Sequence, residues 1–259
     1  MSVSAVVLTR DDENYLSETL ESVEWCEEVF VVDSESVDDT RKIARRHGAT
    51  VVDAPRRPME EPYDHLRRLG AEAASNDLLV FLDADESLTT DLQRYLKEVT
   101  TDLAEEVKLI RAPVLNYLGS ELLVRGWPRL QPLVVRRDVV DFERDVHDFL
   151  RIDGNRVQDV DDRHVHDIPA THKLAVHHRL ERTVYERWQS QRRYAQIAGA
   201  NREFSVRKLL FGPLWGFYLR VIDQRGWRDG VAGIALGACY SWFLFETQCR
   251  AGLRRIRRE

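Results

Sequence analysis

Two aspartates at the end of an apolar run are the residues of this chain best placed to do chemistry. The apolar residues 78–82 come directly before Asp83, Asp85 and Glu86. Such a run is typical of a central strand in a parallel sheet, and open α/β sheets bind ligands where these strands end. Two carboxylates one residue apart can hold a hard divalent cation that also binds a diphosphate. The pattern therefore predicts a cation and diphosphate site at this strand end.

A simpler interpretation of these carboxylates is a solvated turn that leads into a helix. Residues 88–91 have the composition of a helix start, and Glu86 would then mainly serve the helix dipole. An Asp-x-Asp pattern is short and common, so by itself it favours this simpler interpretation. The preceding elements decide between the two.

The segments ahead of residue 78 alternate between strand and helix patterns. Apolar strands are predicted at residues 3–10, 28–33 and 49–53, and the helical patterns at residues 15–23 and 40–44 lie between them. This alternation predicts an α/β fold with a mostly parallel sheet flanked by helices. It also predicts that several strands end in polar residues at one edge of the sheet.

Three ordered motifs resemble the amino-terminal half of the family 2 glycosyltransferases, which have the Rossmann-like fold called GT-A. They are Leu8-Thr9 with Glu13, the run of residues 31–40 that contains Asp33, and the run of residues 81–86. The Asp-Ala-Asp-Glu ending resembles most the lipopolysaccharide-core and polyprenyl-linked glycan transferases. The resemblance implies a GT-A-type sheet and a nucleoside-diphosphate sugar as donor.

The resemblance also implies a donor pocket after the first two strands. Thr9, Glu13 and Asp33 would bind the donor, with Thr9 and Asp33 at the base and ribose. A carboxylate there can accept the imide hydrogen of uracil or the amide hydrogens of guanine. Glu35 stands where the family usually has glycine, which removes a position that tolerates positive φ. We therefore expect this loop to follow a different path, and the base remains open.

The same resemblance assigns residues to the diphosphate and to a cation. Arg67 would contact the diphosphate, Asp83 would face the ribose and the metal, and Asp85 would be the principal ligand of Mg²⁺ or Mn²⁺. Negative charge on the leaving diphosphate grows as the glycosidic bond breaks. A cation and an arginine would stabilise that charge.

Asp148 is the predicted catalytic base. The related subgroup has a Val-His-Glu triplet after a strand, and residues 146–148 are Val-His-Asp. An inverting transferase needs a base to take the proton of the acceptor hydroxyl. His147 is predicted to act as the base, as its orienting partner or as a third metal ligand. A surface turn is the alternative for both residues, and a phosphate acceptor would need no strong base.

Histidines are enriched between residues 164 and 178. Their spacing matches no common structural zinc site, and no cysteine accompanies them. His166 follows an acidic cluster and is predicted to complete the cation site with Asp83 and Asp85. The other histidines are expected at the surface or at helix caps.

The carboxyl-terminal part of the chain differs from the rest in charge and in apolar pattern. Residues 1–106 carry 26 acidic and 11 basic side chains and the remainder 18 and 27, within a net charge of −6. A basic half favours an anionic partner such as lipid headgroups. Residues 204–221 have the pattern of an interfacial helix, whereas the apolar run 230–245 is shorter than the roughly 20 residues of a membrane span.

These patterns predict a helical hairpin attached to one membrane leaflet. The alternative is that both helices pack on the catalytic domain or on another subunit.

The length of the chain predicts one GT-A-like domain at residues 1–200, followed by a helical tail at 201–259. Within the domain, the nucleotide-sugar half is predicted to reach residue 106 and the acceptor half to occupy residues 107–200.

Several features predict a peripheral protein on the cytoplasmic face of the cell membrane. The first residues lack the pattern of a signal peptide, and three cysteines without metal-type spacing are expected to be reduced. The expected acceptor is a lipid-linked glycan or a polyprenyl phosphate. We expect no nucleic-acid partner, and the oligomeric state is left open.

Two other functions fit part of the pattern. A sugar nucleotidyltransferase also uses a doubly wound sheet and paired carboxylates, but it usually has a glycine-rich loop after the first strand, and residues 9–14 contain no glycine. A non-catalytic membrane-associated nucleotide- or glycan-binding protein has no need for carboxylates at three strand ends. The sequence therefore favours an inverting, metal-dependent glycosyltransferase.

Overall fold

A computed structural model describes residues 1–55, 64–124, 126, 128–141, 151–180 and 183–258. The contacts within the chain divide it into two compact units. The first comprises Met1–Val114 and Pro128–His178, and the second comprises Leu115–Trp127 and Arg179–Glu259. The last segment of the second unit begins at Arg179, whereas the sequence predicts a domain boundary near residue 200. That boundary stays a prediction.

Strands and helices alternate through the first hundred residues, strands follow as far as Arg179, and helices make up most of the rest. The strands are β1 (Val3–Thr9), β2 (Glu28–Asp33), β3 (Thr50–Asp53), β4 (Leu78–Asp83), β5 (Glu86–Leu88), β6 (Leu109–Leu118), β7 (Glu121–Leu123), β8 (Leu130–Arg136), β9 (Val140–Asp141), β10 (Arg151–Ile152), β11 (Asn155–Arg156), β12 (Val165–Asp167) and β13 (Val176–Arg179). The helices are α1 (Leu16–Glu21), α2 (Thr40–Arg46), α3 (Asp64–Ala73), α4 (Thr90–Thr101), α5 (Val184–Asn201), α6 (Val206–Tyr218) and α7 (Gly230–Arg258).

The main sheet changes from parallel to antiparallel partway across. Its order is β3-β2-β1-β4-β8-β6-β13-β5, and β7 and β12 also pair with β6. The strands from β3 to β4 are parallel, whereas β8 is antiparallel to both β4 and β6. The chain leaves β1 toward β2 and returns to β4 on the other side, which makes the β1–β4 boundary a switch point where open α/β sheets bind ligands. The predicted α/β class is confirmed.

Burial on both faces fixes the central strands. Every residue of β1 is buried, and in β4 only the terminal Asp83 is exposed. This explains why both strands have continuous apolar runs instead of alternating patterns. The register pairs Thr9 with Asp33 and Leu8 with Asp83. The polar ends of three strands therefore lie at one edge of the sheet.

Gly70 lets α3 approach the sheet closely. A Cβ atom at this position would overlap the Cγ1 atom of Val6 and lie 3.1 Å from the Cγ2 atom of Val32. Arg67, one turn earlier on the same helix, thereby reaches the end of β4, where its Nη2 atom lies 3.2 Å from the Oδ1 atom of Asp83. A small residue in α3 thus helps to position a charged residue at the sheet edge.

The second unit is mainly helical. Helix α7 packs against both α5 and α6, and an apolar cluster joins Leu236 of α7 to Leu118 and Leu123 of the β6–β7 hairpin. Among the described residues, no helix has both the length and the apolar character that crossing a bilayer requires.

We predict that Gly70→Ala lowers the free energy of unfolding by about 1–3 kcal/mol, because the added methyl group overpacks the α3–sheet contact. Urea denaturation measures the effect. Gly212→Ala is the control: Gly212 lies within α6 with open space around its Cα atom. That substitution should change the free energy of unfolding by no more than about 0.5–1 kcal/mol, because the gain in helix propensity is opposed by crowding against Pro213, which follows. Equal effects at the two positions would contradict the close-packing argument.

Candidate active site

Asp33 is the most buried polar group at the sheet edge. Its side chain is fully inaccessible, and its Oδ2 atom accepts a hydrogen bond from the Ser36 N–H at 3.2 Å and lies 3.6 Å from the Arg41 guanidinium. Its Oδ1 atom has no hydrogen-bond partner among the described residues. A buried acceptor without a partner is costly, and native structures keep few of them. Asp33 therefore offers an acceptor to a ligand that brings an N–H or O–H group.

The loops after β1 and β2 are tied together by reciprocal hydrogen bonds between side chains and backbone. Residues 11–13 of one loop bond to residues 36–40 of the other, and each loop both donates and accepts. The bonds are Asp11 N–H to Ser36 Oγ (2.9 Å), Val37 N–H to Asp11 Oδ1 (2.8 Å), Asp12 N–H to Thr40 Oγ1 (2.9 Å), Glu13 N–H to Asp38 Oδ2 (3.1 Å) and Asp39 N–H to Glu13 Oε2 (3.1 Å). Glu13, predicted to bind the donor, thus joins the two loops; its contact with a donor stays a prediction.

Thr9 is buried and donates its hydroxyl hydrogen to the Oδ2 atom of Asp12 at 3.0 Å. The same oxygen accepts the Arg10 N–H at 2.8 Å. Burial raises the pKa of Asp12 to about 6, although both hydrogen bonds lower it, and the charges of Asp85 and Asp38 raise it further. The Thr9 side chain is therefore oriented by a carboxylate that the protein environment makes easier to protonate.

Glu35 adopts a φ of 53°, in the left-handed region of backbone space. We expected that replacing glycine here would divert the loop, and that expectation was wrong. The loop keeps the conformation that a glycine tolerates, and a residue with a Cβ atom adopts it at a cost in strain.

The predicted diphosphate and metal residues meet at the end of β4. The guanidinium of Arg67 contacts Asp83, and the binding roles of both residues stay predictions. The Asp83 side chain is half exposed, but the protein around it still removes part of its solvation. This loss of solvation raises its pKa, which Arg67 opposes and Asp85 reinforces.

Glu86 is a buried support for this turn and not a helix residue. Its Oε2 atom accepts the Asp83 N–H at 3.1 Å, and its Oε1 atom accepts a hydrogen bond from the Gln131 amide at 3.0 Å. Burial, reinforced by the charge of Asp83, raises the pKa of Glu86 to about 7. Helix α4 begins later, at Thr90, and Thr89 caps it by accepting the Leu92 N–H. The interpretation of Glu86 as a residue serving the helix dipole is therefore wrong.

His178 is the site residue that the sequence analysis missed. Its Nε2 atom lies 3.6 Å from the Oδ2 atom of Asp85, because β13 pairs antiparallel with β5 and sets His178 opposite Glu86. Burial lowers the pKa of His178, but the contact with Asp85 and the charges of the neighbouring carboxylates outweigh it, and the pKa is raised overall. Adjacent residues of a strand face opposite sides, so the His177-His178 pair guaranteed one imidazole on each face.

His166 lies elsewhere. Its Nε2 atom is 2.9 Å from the Tyr95 hydroxyl, and the two rings stack with centroids 6.1 Å apart. Across β12, β6, β8 and β4, the register places His166 level with Val80. Three strand spacings separate β12 from β4, so His166 lies about 14 Å from β4. The structure does not bring it to Asp83 and Asp85, so the prediction that it completes a cation site there is not supported.

The two predicted catalytic residues, His147 and Asp148, lie outside the described residues, and their roles stay predictions. Within the part of the chain that the structure describes, no group of three or more histidine, cysteine and acidic side chains forms a ready metal centre. The pair formed by Asp85 and His178 still presents one oxygen and one nitrogen donor at the end of β4. A cation bound there would need further ligands from a substrate, such as diphosphate oxygens.

The family model described as Glycosyl transferase family 2 matches residues 4–107, which run from β1 to just beyond α4. The chain carries a family 2 glycosyltransferase domain. This match includes the strand ends with Thr9, Asp33, Asp83 and Asp85. The predicted family and the prediction that the protein is a glycosyltransferase are confirmed.

Individual relatives agree with this assignment. The lipopolysaccharide core biosynthesis glycosyltransferase LpsC of Rhizobium meliloti (strain 1021) is 27% identical over 254 residues, which cover 93% of this chain and 90% of LpsC. An uncharacterized glycosyltransferase of Rickettsia conorii is 32% identical over 115 residues, 42% of this chain and 39% of its own length. The predicted resemblance to lipopolysaccharide-core transferases is thereby confirmed.

A solved structure supports the fold. Glucosyl-3-phosphoglycerate synthase from Mycobacterium tuberculosis, in complex with Mn²⁺, UDP-glucose and phosphoglyceric acid, aligns with a TM-score of 0.50 and 19% identity. The alignment covers 75% of this chain and 77% of the synthase. Similarity at this level concerns the fold, and the predicted GT-A class is confirmed.

We predict that Glu35→Gly raises the free energy of unfolding by about 0.5–1 kcal/mol, because the left-handed conformation no longer strains a Cβ atom. The Glu35 side chain is exposed, so few contacts are lost. Glu35→Ala keeps the Cβ atom and is the control, with no gain expected. Urea denaturation of both variants is the measurement, and equal stability of the two would contradict the strain argument.

We also predict that Asp12→Asn stabilises the protein at high pH only. The raised pKa means that the folded protein holds this proton more tightly than the unfolded chain, so its stability falls as pH rises from about 4 to about 6. Asparagine keeps one oxygen for Thr9 and Arg10 and carries no charge. Above a pH of about 7, the free energy of unfolding of the variant should exceed that of wild type by about 1–2 kcal/mol, after discounting for solvent screening. Below a pH of about 4 the two should be equal.

Urea denaturation at the two extremes of this pH range measures the difference for Asp12→Asn. The control is Asp91→Asn, which changes a half-exposed carboxylate in the first turn of α4. This variant should gain nothing over wild type at high pH, because a carboxylate in the first turn of a helix, here beside Arg94, stabilises the folded protein. A pH-independent difference for Asp12→Asn would show that burial of the charge is not the cause.

Proposed function

We propose that this glycosyltransferase moves a sugar, with inversion, from a nucleoside-diphosphate sugar to a lipid-linked glycan or polyprenyl phosphate. Lipopolysaccharide core assembly at the cytoplasmic face of the membrane is the process we propose, and similarity to LpsC along most of both chains supports it. The observation that carries the proposed chemistry is the meeting of Asp33, Arg67, Asp83, Asp85 and His178 at one sheet edge.

The donor nucleotide would bind at the ends of β1 and β2. The unpartnered Oδ1 atom of Asp33 suits an N–H group of a base, as in the imide of uracil or the amide of guanine. Because the atom is inaccessible, the base must displace part of the surrounding loop to reach it. Thr9, oriented by Asp12, would contribute to the same pocket.

The diphosphate and a divalent cation would bind at the end of β4. Asp85 and His178 fit Mn²⁺, which accepts both oxygen and imidazole ligands, and Mg²⁺ would rely more on Asp83, Asp85 and phosphate oxygens. Such a cation supplies Lewis-acid stabilisation of the leaving diphosphate. His178 must release its proton to bind a metal, so its raised pKa makes metal binding weaker at low pH.

Besides a cation, side chains of the protein would act on the leaving group and on the acceptor. Arg67, now paired with Asp83, can turn to the diphosphate and stabilise its growing charge. Asp148, with His147, would take the proton of an acceptor hydroxyl. A base on the face opposite the leaving group gives inversion, so an α-linked donor would yield a β-linked product.

We predict that UDP or GDP raises the thermal midpoint of the wild-type protein only when Mn²⁺ is present. At a nucleotide concentration of about 100 times Kd, mass action gives about 2.7 kcal/mol, or roughly 5–10 °C for a chain of this size. Asp85→Ala and His178→Ala should each remove most of the Mn²⁺-dependent part. Asp85 and His178 are partly exposed, so both variants are expected to fold.

His166→Ala is the matched control, since it removes an imidazole on β12 that lies away from Asp85. It should keep the full Mn²⁺-dependent shift. Loss of the shift in His166→Ala and its retention in His178→Ala would reverse our assignment of the imidazole ligand. A wild-type protein that no nucleotide stabilises would contradict the proposed donor site.

A further inference from the structure

Helix α6 has an apolar side that no described residue covers. Six of its large apolar residues are between 47% and 69% exposed. They recur at the three- and four-residue spacing that places side chains on one side of a helix. We call this surface the α6 face; its residues are Val206, Leu210, Phe211, Leu214, Trp215 and Tyr218.

The opposite side of α6 is already used for packing within the second unit. Gly216 lies directly against Leu244 and Tyr240 of α7, and the hydroxyl of Ser241 donates a hydrogen bond to the Pro213 carbonyl. These contacts hold the helix on α7 without the α6 face. The exposed residues are therefore not needed for the packing of α6 on α7, and an apolar surface of this kind marks a binding site.

Positive charge accompanies the α6 face. The second unit, residues 115–127 and 179–259, has 17 basic and 8 acidic side chains, whereas residues 107–114 and 128–178 have 10 of each. The entire basic excess of the carboxyl-terminal half thus belongs to the unit that carries α6. Within Val206–Tyr218 the charged residues are Arg207 and Lys208, and both are exposed.

We propose that the α6 face inserts into the headgroup region of an anionic phospholipid bilayer. Leucine and phenylalanine side chains would enter the acyl boundary, tryptophan and tyrosine would lie at headgroup level, and the cations would contact lipid phosphates. A second copy of this chain fits less well. A two-fold symmetric contact through the α6 face would bring Arg207 and Lys208 of the two copies close to one another, and this repulsion disfavours it.

This surface is where the lipid-linked acceptor of the proposed function would be met, and its biological meaning rests on that function. Its test needs neither donor nor acceptor. Sedimentation with phosphatidylcholine vesicles, with and without phosphatidylglycerol, measures binding of the intact chain. Wild type should bind the vesicles that contain phosphatidylglycerol, and added salt should weaken that binding.

The decisive variant is Phe211→Glu/Leu214→Glu, which places two carboxylates on the α6 face. It should bind the anionic vesicles at least about tenfold less tightly, because it removes two inserted side chains and adds repulsion. The matched control, Tyr185→Glu/Tyr194→Glu, makes the same charge change at two exposed aromatic residues of α5 in the same unit. Its affinity for the anionic vesicles should stay within about threefold of wild type, because its added charges lie away from the lipid and act on it only at a distance.

Arg207→Gln/Lys208→Gln tests the electrostatic part separately. Each cation near the surface contributes about 1 kcal/mol, so the affinity of this variant for anionic vesicles should fall about tenfold or more. Its binding should also depend less on salt than that of wild type. Circular dichroism establishes that each variant keeps its helices.

Three results would overturn the proposal: no binding of wild type to anionic vesicles, equal losses in the α6 and α5 variants, or a lipid-free dimer that Phe211→Glu/Leu214→Glu dissociates. The third would assign the α6 face to contact between copies. Nucleotide and Mn²⁺ stabilisation is measured without vesicles, so a failure of this proposal and a failure of the proposed donor site are distinguishable.

Discussion

The parallel pairing of β1 with β2 and β4 is the constraint on which the rest of the site depends. Its register puts Thr9 beside Asp33 and Leu8 beside Asp83, so residues distant in sequence end at one edge of the sheet. A shift by a single residue would turn every side chain of a strand to the opposite face. Such a shift would also move the strand-end carboxylates out of alignment with one another.

Concentrated negative charge is the second constraint. Asp12, Asp83 and Glu86 all have a raised pKa, since each carboxyl loses solvation close to other carboxylates. Arg67 supplies positive charge beside Asp83, and the His178 imidazole lies beside Asp85. In the function we propose, such a site would favour an added cation, and the cation would favour an anionic diphosphate.

The sequence predicted best what depends on local runs of residues. Strands β1, β2 and β4 were predictable because each is a largely apolar run that ends in a polar residue, Thr9, Asp33 or Asp83. Strand β5 was not recognised, because its three residues carry almost no periodic signal, whereas the helix start near residues 88–91 was predicted. His178 could not be predicted, since it reaches Asp85 only through the pairing of β5 with β13, whose residues lie about ninety positions further along the chain. The amphipathic pattern at residues 204–221 did predict a helix, and α6 occupies Val206–Tyr218 before a short π-helix at Leu219–Asp223.

The hydrogen bonds between the loops after β1 and β2 have a consequence for how the enzyme evolves and binds. Because each loop holds the other, a substitution in residues 11–13 changes the partners of residues 36–40, and the two segments are expected to covary among relatives. The same bonds order both loops during folding, so donor binding has less conformational freedom to remove. In the function we propose, the base reaches the inaccessible Asp33 only by displacing part of these loops, so the hydrogen bonds that order them would also slow the entry and the release of the nucleotide.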